Sequence, residues 1–535
     1  MSERIIISVN EGKIRGVKET SLYSGVEFFS FYGVRYGQPP LNNLRFKDPK
    51  PIKPWKDLYD ATIKKPGCVQ FSLKLYVFLG NEDCLFNNIH IPKLPVKGAP
   101  LKPVIINLHP GGFMFGTPNS DDYGSPQFVM HHDVVYINIG HRLHILGYLN
   151  LGLNECSGNQ ALKDVILSLQ WIKCNIQAFG GDPENITLLG SSSGGTIIHA
   201  LMISPAAKDL FHKAVFMGAY LFLPALPFEE TNHHRAYEIA EMLGYTGNIE
   251  DKKALLSFLR KIQPEILIEC QRSCAKKFQE KIAPLYPIGV FNISFDQGDI
   301  FPESPRTMMH SVSRIPIMIG FCQYESMMGF SKGLRRQTVE NFLTSVRQNC
   351  WGWGRNLSDK DIDYINQRIN AFYTEGKSIE NVPLSLQADI QTDIILSDLY
   401  DSLVDIIADD LPSSVFVYKF EFEGDIPTTK SLLKHNYDEE LPGSYHACDF
   451  SYWNYFYTPG DEITQQMVEY FTKFITNFAR TGNPNSEDIP IEWEPTSPDK
   501  PCYLSINDPL KMVNGKLKND GLEFWQDIKK HLQNK

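Results

Sequence analysis

The chain has 535 residues and a formal net charge of −10 at pH 7, a balance that disfavours nucleic acid as a principal partner. Hydrophobic residues make up 42% and charged residues 21%, which excludes a disordered chain, while a mean hydropathy of −0.24 argues against a polytopic membrane protein. Ten cysteines are too few at this length for a disulfide-built scaffold, and no Cys-x-x-Cys pair suggests a zinc site.

Along the chain, the opening MSERIIISVNEGKIRG holds an apolar run at 5–9, broken by Asn10 and Glu11. That run is shorter than a signal-peptide core, and no stretch of 18 apolar residues follows. The expectation is therefore a cytoplasmic protein with no membrane span. Sequons at Asn185, Asn292 and Asn356 are then expected to be accidental. Residues 5–9 and 27–36 read as strands of a small N-terminal sheet. Apolar, β-branched runs at 104–108 and 134–139 predict buried strands. Residues 161–179 carry a helical period, 186–189 a strand, and a helix starts at Gly194. Residues 229–272 are charged and helix-rich. Strands return at 315–319 and 415–420, followed by helices at 465–478 and 522–532. Apolar strands alternating with helices predict an α/β fold around a mainly parallel sheet covered on both faces. The length alone would suggest three or four domains. No Pro/Gly/Ser-rich linker divides the segments, so one domain over 1–535 is expected.

The sharpest local signal is Gly190-Ser191-Ser192-Ser193-Gly194. A strand (ITLLG) precedes it and a helix (GGTIIHALM) follows. A serine on such a strand-to-helix turn is held strained, with its hydroxyl exposed. Glycine two residues to either side avoids a clash with the neighbouring backbone. The plainer alternative is a Ser/Gly loop. Upstream, the buried run 104–108 leads into His109-Pro110-Gly111-Gly112-Phe113. Glycines at a strand exit can aim amides at a substrate oxygen, as an oxyanion hole requires; a simple strand-to-turn exit has the same look.

These segments join others in a fixed order: Leu44-Arg45-Phe46, Asn81-Glu82-Asp83-Cys84-Leu85, 179–187 (FGGDPENIT) and 478–485 (FARTGNPN). Nearly end to end, the chain resembles the type-B carboxylesterase/cholinesterase family of α/β-hydrolases, and it looks most like the cytosolic insect α-esterases. The resemblance implies an α/β-hydrolase fold with a large central, mostly parallel mixed sheet, and an active site in a gorge. It also implies a triad. Ser192 would be the nucleophile. Glu325 would be the acid, in a Gly-x-x-x-x-Glu pattern from Gly320. His446 would be the base, in a Gly-x-x-His-x-x-Asp pattern from Gly443 to Asp449. The order Ser, acid, His is that of the fold. Gly111, Gly112 and Ser193 would supply the oxyanion amides. Arg45 with Glu82, and Arg142 with Asp164, would be partly buried ion pairs. The implied activity is cofactor-free and metal-free hydrolysis of small, apolar carboxylic esters through an acyl-enzyme, as in detoxifying relatives, by a monomer or homodimer. The alternative within the family is a slow or inactive member that binds or sequesters ligand.

The chain also departs from the family pattern. Pro110 stands where a glycine is usual, Ser191 where glutamate is, and Ser193 where alanine is. The usual Asn-Tyr-Arg-x-Gly reads Gly140-His141-Arg142-Leu143-His144, and Ser-Gly-Ser reads Gly218-Ala219-Tyr220, which would set a bulky ring near the triad. Cys68 and Cys84 occupy positions resembling a family disulfide. The segment between them lacks the tryptophan of cholinesterases, which excludes that activity, and the turn lacks the glutamine typical of juvenile hormone esterases. In a reducing cytosol both thiols are expected to be free. Trp351-Gly352-Trp353 is expected to pack as a surface loop.

Overall fold

The β-branched runs become the centre of one large sheet. The computed structural model describes residues 5–72, 75, 77–119, 124–219, 221, 231–281, 290–294, 298–330, 338–349, 357–397, 403–411, 414–430, 442–454, 460–517 and 519–533. Among these residues the sheet has thirteen strands. They are β1 (Ile5–Val9), β2 (Gly12–Thr20), β3 (Glu27–Arg35), β4 (Tyr59–Asp60), β5 (Phe86–Ile91), β6 (Lys102–Leu108), β7 (Val135–Ile139), β8 (Gly181–Ser191), β9 (Lys213–Met217), β10 (Ile317–Cys322), β11 (Val415–Phe420), β12 (Cys502–Ile506) and β13 (Lys511–Asn514). Their order is β1-β2-β3-β5-β7-β6-β8-β9-β10-β11-β12-β13, with β4 beside β2. The neighbours from β7 to β12 run parallel. The flanking strands pair antiparallel, apart from β4, which is parallel to β2. The expected mixed, mostly parallel sheet is the one found.

Helices cover both faces. They include α1 (Gln160–Asn175), α2 (Ser193–Ile203), α3 (Pro264–Lys281), α4 (Leu384–Ser397), α5 (Cys448–Asn454), α6 (Glu462–Thr481) and α7 (Asn519–Gln533). Side chains alternate along a strand, and the core divides accordingly. Val104, Ile106, Leu108, Ile186 and Leu188 join Leu162, Val165 and Leu169 of α1 and Ile197, Ile198 and Leu201 of α2. Ile105, Leu189, Val215 and Met217 face the other way, in the cluster that holds Phe471, Phe474, Ile475 and Phe478 of α6. At the edge the alternation is open to water: Ile5 and Ile7 are buried and Ile6 is exposed. Helix α6 starts where the Asp461 side chain accepts from the Thr464 amide at 2.7 Å and ends at Gly482 in the left-handed region.

Both ion pairs form. Arg45 meets Glu82 through two bonds of 2.6 and 2.5 Å. Arg142 meets Asp164 through side-chain bonds of 2.8 and 2.7 Å. Asn292 is buried and Asn185 is bonded to Lys213 and Arg480; Asn356 lies outside the described residues, as do Tyr220 and Trp351-Gly352-Trp353.

One expectation is overturned: Cys68 and Cys84 are joined in a disulfide. Their Cα atoms lie 4.9 Å apart, within bridging reach. A reducing compartment would favour free thiols, but the fold brings these two into contact. Closing a loop of 16 residues constrains the unfolded chain by up to about 3 kcal/mol. Reduction is therefore expected to lower the melting temperature by a few degrees. An unchanged melting temperature, with both thiols shown free by alkylation, would contradict this.

Candidate active site

The site lies at the carboxyl ends of the central parallel strands, where open α/β sheets bind ligands. Strand β8 ends at Ser191, and Ser192 turns the chain into α2 with φ 51° and ψ −125°. A non-glycine residue rarely adopts a positive φ, and one held there at a functional turn stores strain. The flanking glycines are required by contact. A Cβ on Gly190 would sit 2.5 Å from the Gly194 carbonyl carbon, and one on Gly194 would sit 2.1 Å from the Leu108 oxygen. Burial separates the three serines. Ser191 is fully enclosed and Ser193 is buried, whereas Ser192 is partly exposed. The Ser192 side chain makes no capping bond to its own helix, and its amide donates to the Met217 oxygen at 2.9 Å.

Because Gly194 presses on the end of β6, the elbow and the glycine turn are neighbours. Gly111 has φ 133° and a Cβ on it would strike the Phe115 oxygen, so that position needs a residue without one; Gly112, at φ 59°, lies in the left-handed region that favours glycine. Their amides donate to no group among the described residues, while the Gly111 oxygen accepts from Met114 and Phe115 at 2.9 and 3.0 Å. Ser193 is the first residue of α2, where amides have no partner within the helix. Pro110 leaves this turn intact. Its oxygen bonds His109 Nδ1 at 3.0 Å, and the His109 ring stacks on that of His141 at 4.5 Å. His144 holds φ 56° at the position where the family pattern has glycine. Burial, the first cause in each, pushes the pKa of His109 and of His144 down to about 3 and that of His141 to about 4. All three are neutral imidazoles near the turn.

Glu325 and His446 are in direct contact. Glu325 follows β10, is 3% exposed, and its Oε1 accepts from the Cys322 amide at 2.6 Å. Its Oε2 bonds His446 Nδ1, which fixes the tautomer that leaves Nε2 as the base. The two loops are tied by the Tyr324 amide donating to the Ser444 oxygen and the Gln323 amide donating to Ser444 Oγ, both at 3.0 Å. Burial alone would depress the imidazole pKa. The charge of Glu325 and its hydrogen bond outweigh that, and the net shift is upward from the usual value. A second carboxyl, Asp449, is fully buried. Burial first, and then the charge of Glu325, push its pKa up to about 6; Tyr418 donates to it at 2.7 Å.

Ser192 is linked to this pair through Gly218. The Ser192 amide is bonded to Met217, and a Cβ on the next residue, Gly218 (φ 65°), would lie 3.0 Å from both Glu325 Oε2 and His446 Nδ1. Sequence reasoning missed this role of Gly218. Its only signal was a glycine standing where the family pattern has serine. Among the described residues no hydrogen bond joins the Ser192 hydroxyl to the imidazole. The structure thus gathers a strained, accessible serine, two clusters of undonated amides and a buried carboxylate–imidazole pair.

Comparison with known proteins identifies the family. Residues 3–525 match the sequence model of the Carboxylesterase family. The chain belongs to that family. It is 28% identical to Esterase E4 of Myzus persicae, over 92% of this chain and 88% of that protein. Identity is also 28% to the Juvenile hormone esterase of Tribolium castaneum (94% and 88% covered), and 27% to Carboxylesterase 1C of Rattus norvegicus (98% and 93%). The crystal structure of Juvenile Hormone Esterase from Manduca sexta, with OTFP covalently attached, superposes with a TM-score of 0.81 at 26% identity, covering 98% of this chain and 99% of that one. The fold is that of the α/β-hydrolases, and the activity class of this carboxylesterase is carboxylic-ester hydrolysis. No helix among the described residues is long and apolar enough to cross a membrane.

Proposed function

We propose that residues 1–535 act as one domain, a serine esterase that hydrolyses small, apolar carboxylic esters through an acyl-enzyme on Ser192. The carrying observation is the buried Glu325–His446 bond beside the Ser192 turn. Ser192 Oγ attacks the acyl carbon while its proton passes to His446 Nε2. The amides of Gly111, Gly112 and Ser193 receive the oxyanion, and one such donor is worth about 3–4 kcal/mol of barrier. Collapse breaks the ester bond, and the imidazolium returns the proton to the leaving alcohol. Water then repeats the sequence on the acyl group. Glu325 stabilises the imidazolium throughout. No metal or organic cofactor enters these steps. The adduct in the Manduca sexta relative, described as covalently attached, supports a covalent route. Turnover assays on acyl esters of graded chain length test the substrate class. Short and medium apolar acyl chains are expected to react fastest, and preference for a charged acyl group would contradict the reading.

A sequestering member with slow turnover is the second reading, favoured by the missing bond between Ser192 and the imidazole. Pre-steady-state kinetics separate the two: rapid acylation followed by very slow release marks sequestration. Detoxification fits either. The proposed setting is the cytoplasm, as a monomer or homodimer. Recovery of the chain with Cys68–Cys84 fully oxidised from cells lysed in alkylating agent would instead indicate an oxidising compartment.

The pH dependence has a fixed sign. The base works only when neutral, and its pKa is raised in the fold. Activity should therefore rise through a window above the ordinary imidazole value of about 6.5 and then level off. Stability runs oppositely. The charged imidazole beside Glu325 stabilises the fold fully below the unfolded pKa, and this contribution is lost as pH rises through the folded value. A rate profile flat from about pH 5 to 8 would contradict His446 as the base.

A further inference from the structure

We propose that His131, His132 and Glu469 form a binding site for a divalent cation of the zinc class, which ties α6 to the turn feeding β7. The two histidines lie on the 3-10 turn Met130–His132. They are at the amino-terminal end of β7, so they lie on the side of the sheet opposite the serine turn. Glu469 projects from α6, 338 residues further along the chain.

The geometry suits an ion. One nitrogen of each imidazole and one oxygen of Glu469 all lie within 4.8 Å of one another. His131 Nε2 is 3.0 Å from Glu469 Oε2, a separation that two ligands of a small ion would keep. The rings of His131 and His132 are 3.9 Å apart, centre to centre, and tilted by 38°. The side chains of His131 and Glu469 are 20% and 29% exposed, which gives a hydrated ion access. His131 Nδ1 is buried and without a partner among the described residues. The Thr472 hydroxyl, which donates to the Val468 carbonyl at 2.8 Å, is hydrogen-bonded to His132 Nε2 at 2.9 Å and orients that ring.

The surroundings hold the donors in place. Arg480 donates to the His132 carbonyl at 2.9 Å, and the Tyr23 ring leans on His131 at 5.8 Å. One cation competes: Lys473 lies 3.3 Å from Glu469 Oε1. That is the oxygen not engaged by His131, and Lys473 also pairs with Asp488, so it keeps a partner when Glu469 turns to an ion. Two imidazoles and one carboxylate with open positions form a zinc-type donor set. Calcium and magnesium favour oxygen ligands only.

The test uses the full chain and metal salts alone. Zinc chloride is titrated calorimetrically, and cobalt(II) is followed by its visible d–d absorption. Expected are one ion bound per chain, a raised melting temperature, and binding weakened by about tenfold or more in both His132→Ala and Glu469→Gln, each checked by circular dichroism for intact folding. Zinc affinity unchanged in folded His132→Ala, or no cobalt spectrum in the wild type, would overturn the site. Binding that is lost only in His446→Ala would place the ion in the ester site and equally refute the proposal.

Discussion

Ser192→Ala is expected to lower ester turnover by a factor on the order of 10⁴ or more and to leave the melting temperature essentially unchanged. The reason is local. Ser192 is the accessible one of three adjacent serines, and it sits at the strained turn between Gly190 and Gly194. Its hydroxyl makes no capping bond, so its removal costs the fold little. Alanine even relieves nothing of the backbone strain, because it keeps the Cβ. Ser191→Ala, by contrast, removes a fully buried hydroxyl that has no partner among the described residues, and should leave turnover within a few-fold. Steady-state kinetics on both variants check this. Turnover that survives in Ser192→Ala and vanishes in Ser191→Ala would move the nucleophile.

The largest effect on stability is expected at Arg142. Its guanidinium is 4% exposed and the Asp164 carboxylate is fully enclosed. Burial, the first cause, raises the Asp164 pKa, and the charge and hydrogen bonds of Arg142 oppose that rise. Arg142→Met would leave the carboxylate buried without its counter-ion. It would also free the carbonyl of Lys47, to which Arg142 donates at 2.7 Å. Breaking a buried pair from one side costs about 3–5 kcal/mol, which should appear as a sharply shortened half-life at elevated temperature. The double variant Arg142→Met/Asp164→Leu should recover part of the loss, because the stranded charge is then absent. Equal loss in the single and double variants would contradict this account.

The sequence revealed the central strands because their buried faces are written as unbroken apolar runs. β5 escaped because it reads Phe-Asn-Asn-Ile-His-Ile and yet is buried throughout. Some of its polar groups find partners only far along the chain, and Asn87 Nδ2 and His90 Nε2 have none among the described residues. Asn87 accepts from Ser168, Asn88 donates to the Pro118 carbonyl, and His90 pairs with Ser30. Helix α4 was missed for a related reason: Gln387, Gln391 and Asp393 are buried with its apolar residues, so it has no polar face to mark the period. The elbow was legible because one turn encodes its own constraints. Glu325 and His446 carry no local signal and came from the family resemblance. Gly218 mattered only once three segments met around it. The disulfide was misjudged because an expected reducing compartment does not report how close Cys68 and Cys84 lie in the fold.

The most direct test of the central claim is the site of covalent modification by an organophosphate fluoride, located by peptide mapping and mass spectrometry. A single phosphoryl group on Ser192, added in step with complete loss of turnover, is the predicted result. An adduct on Ser191 or Ser193, or no adduct on folded protein, would contradict it.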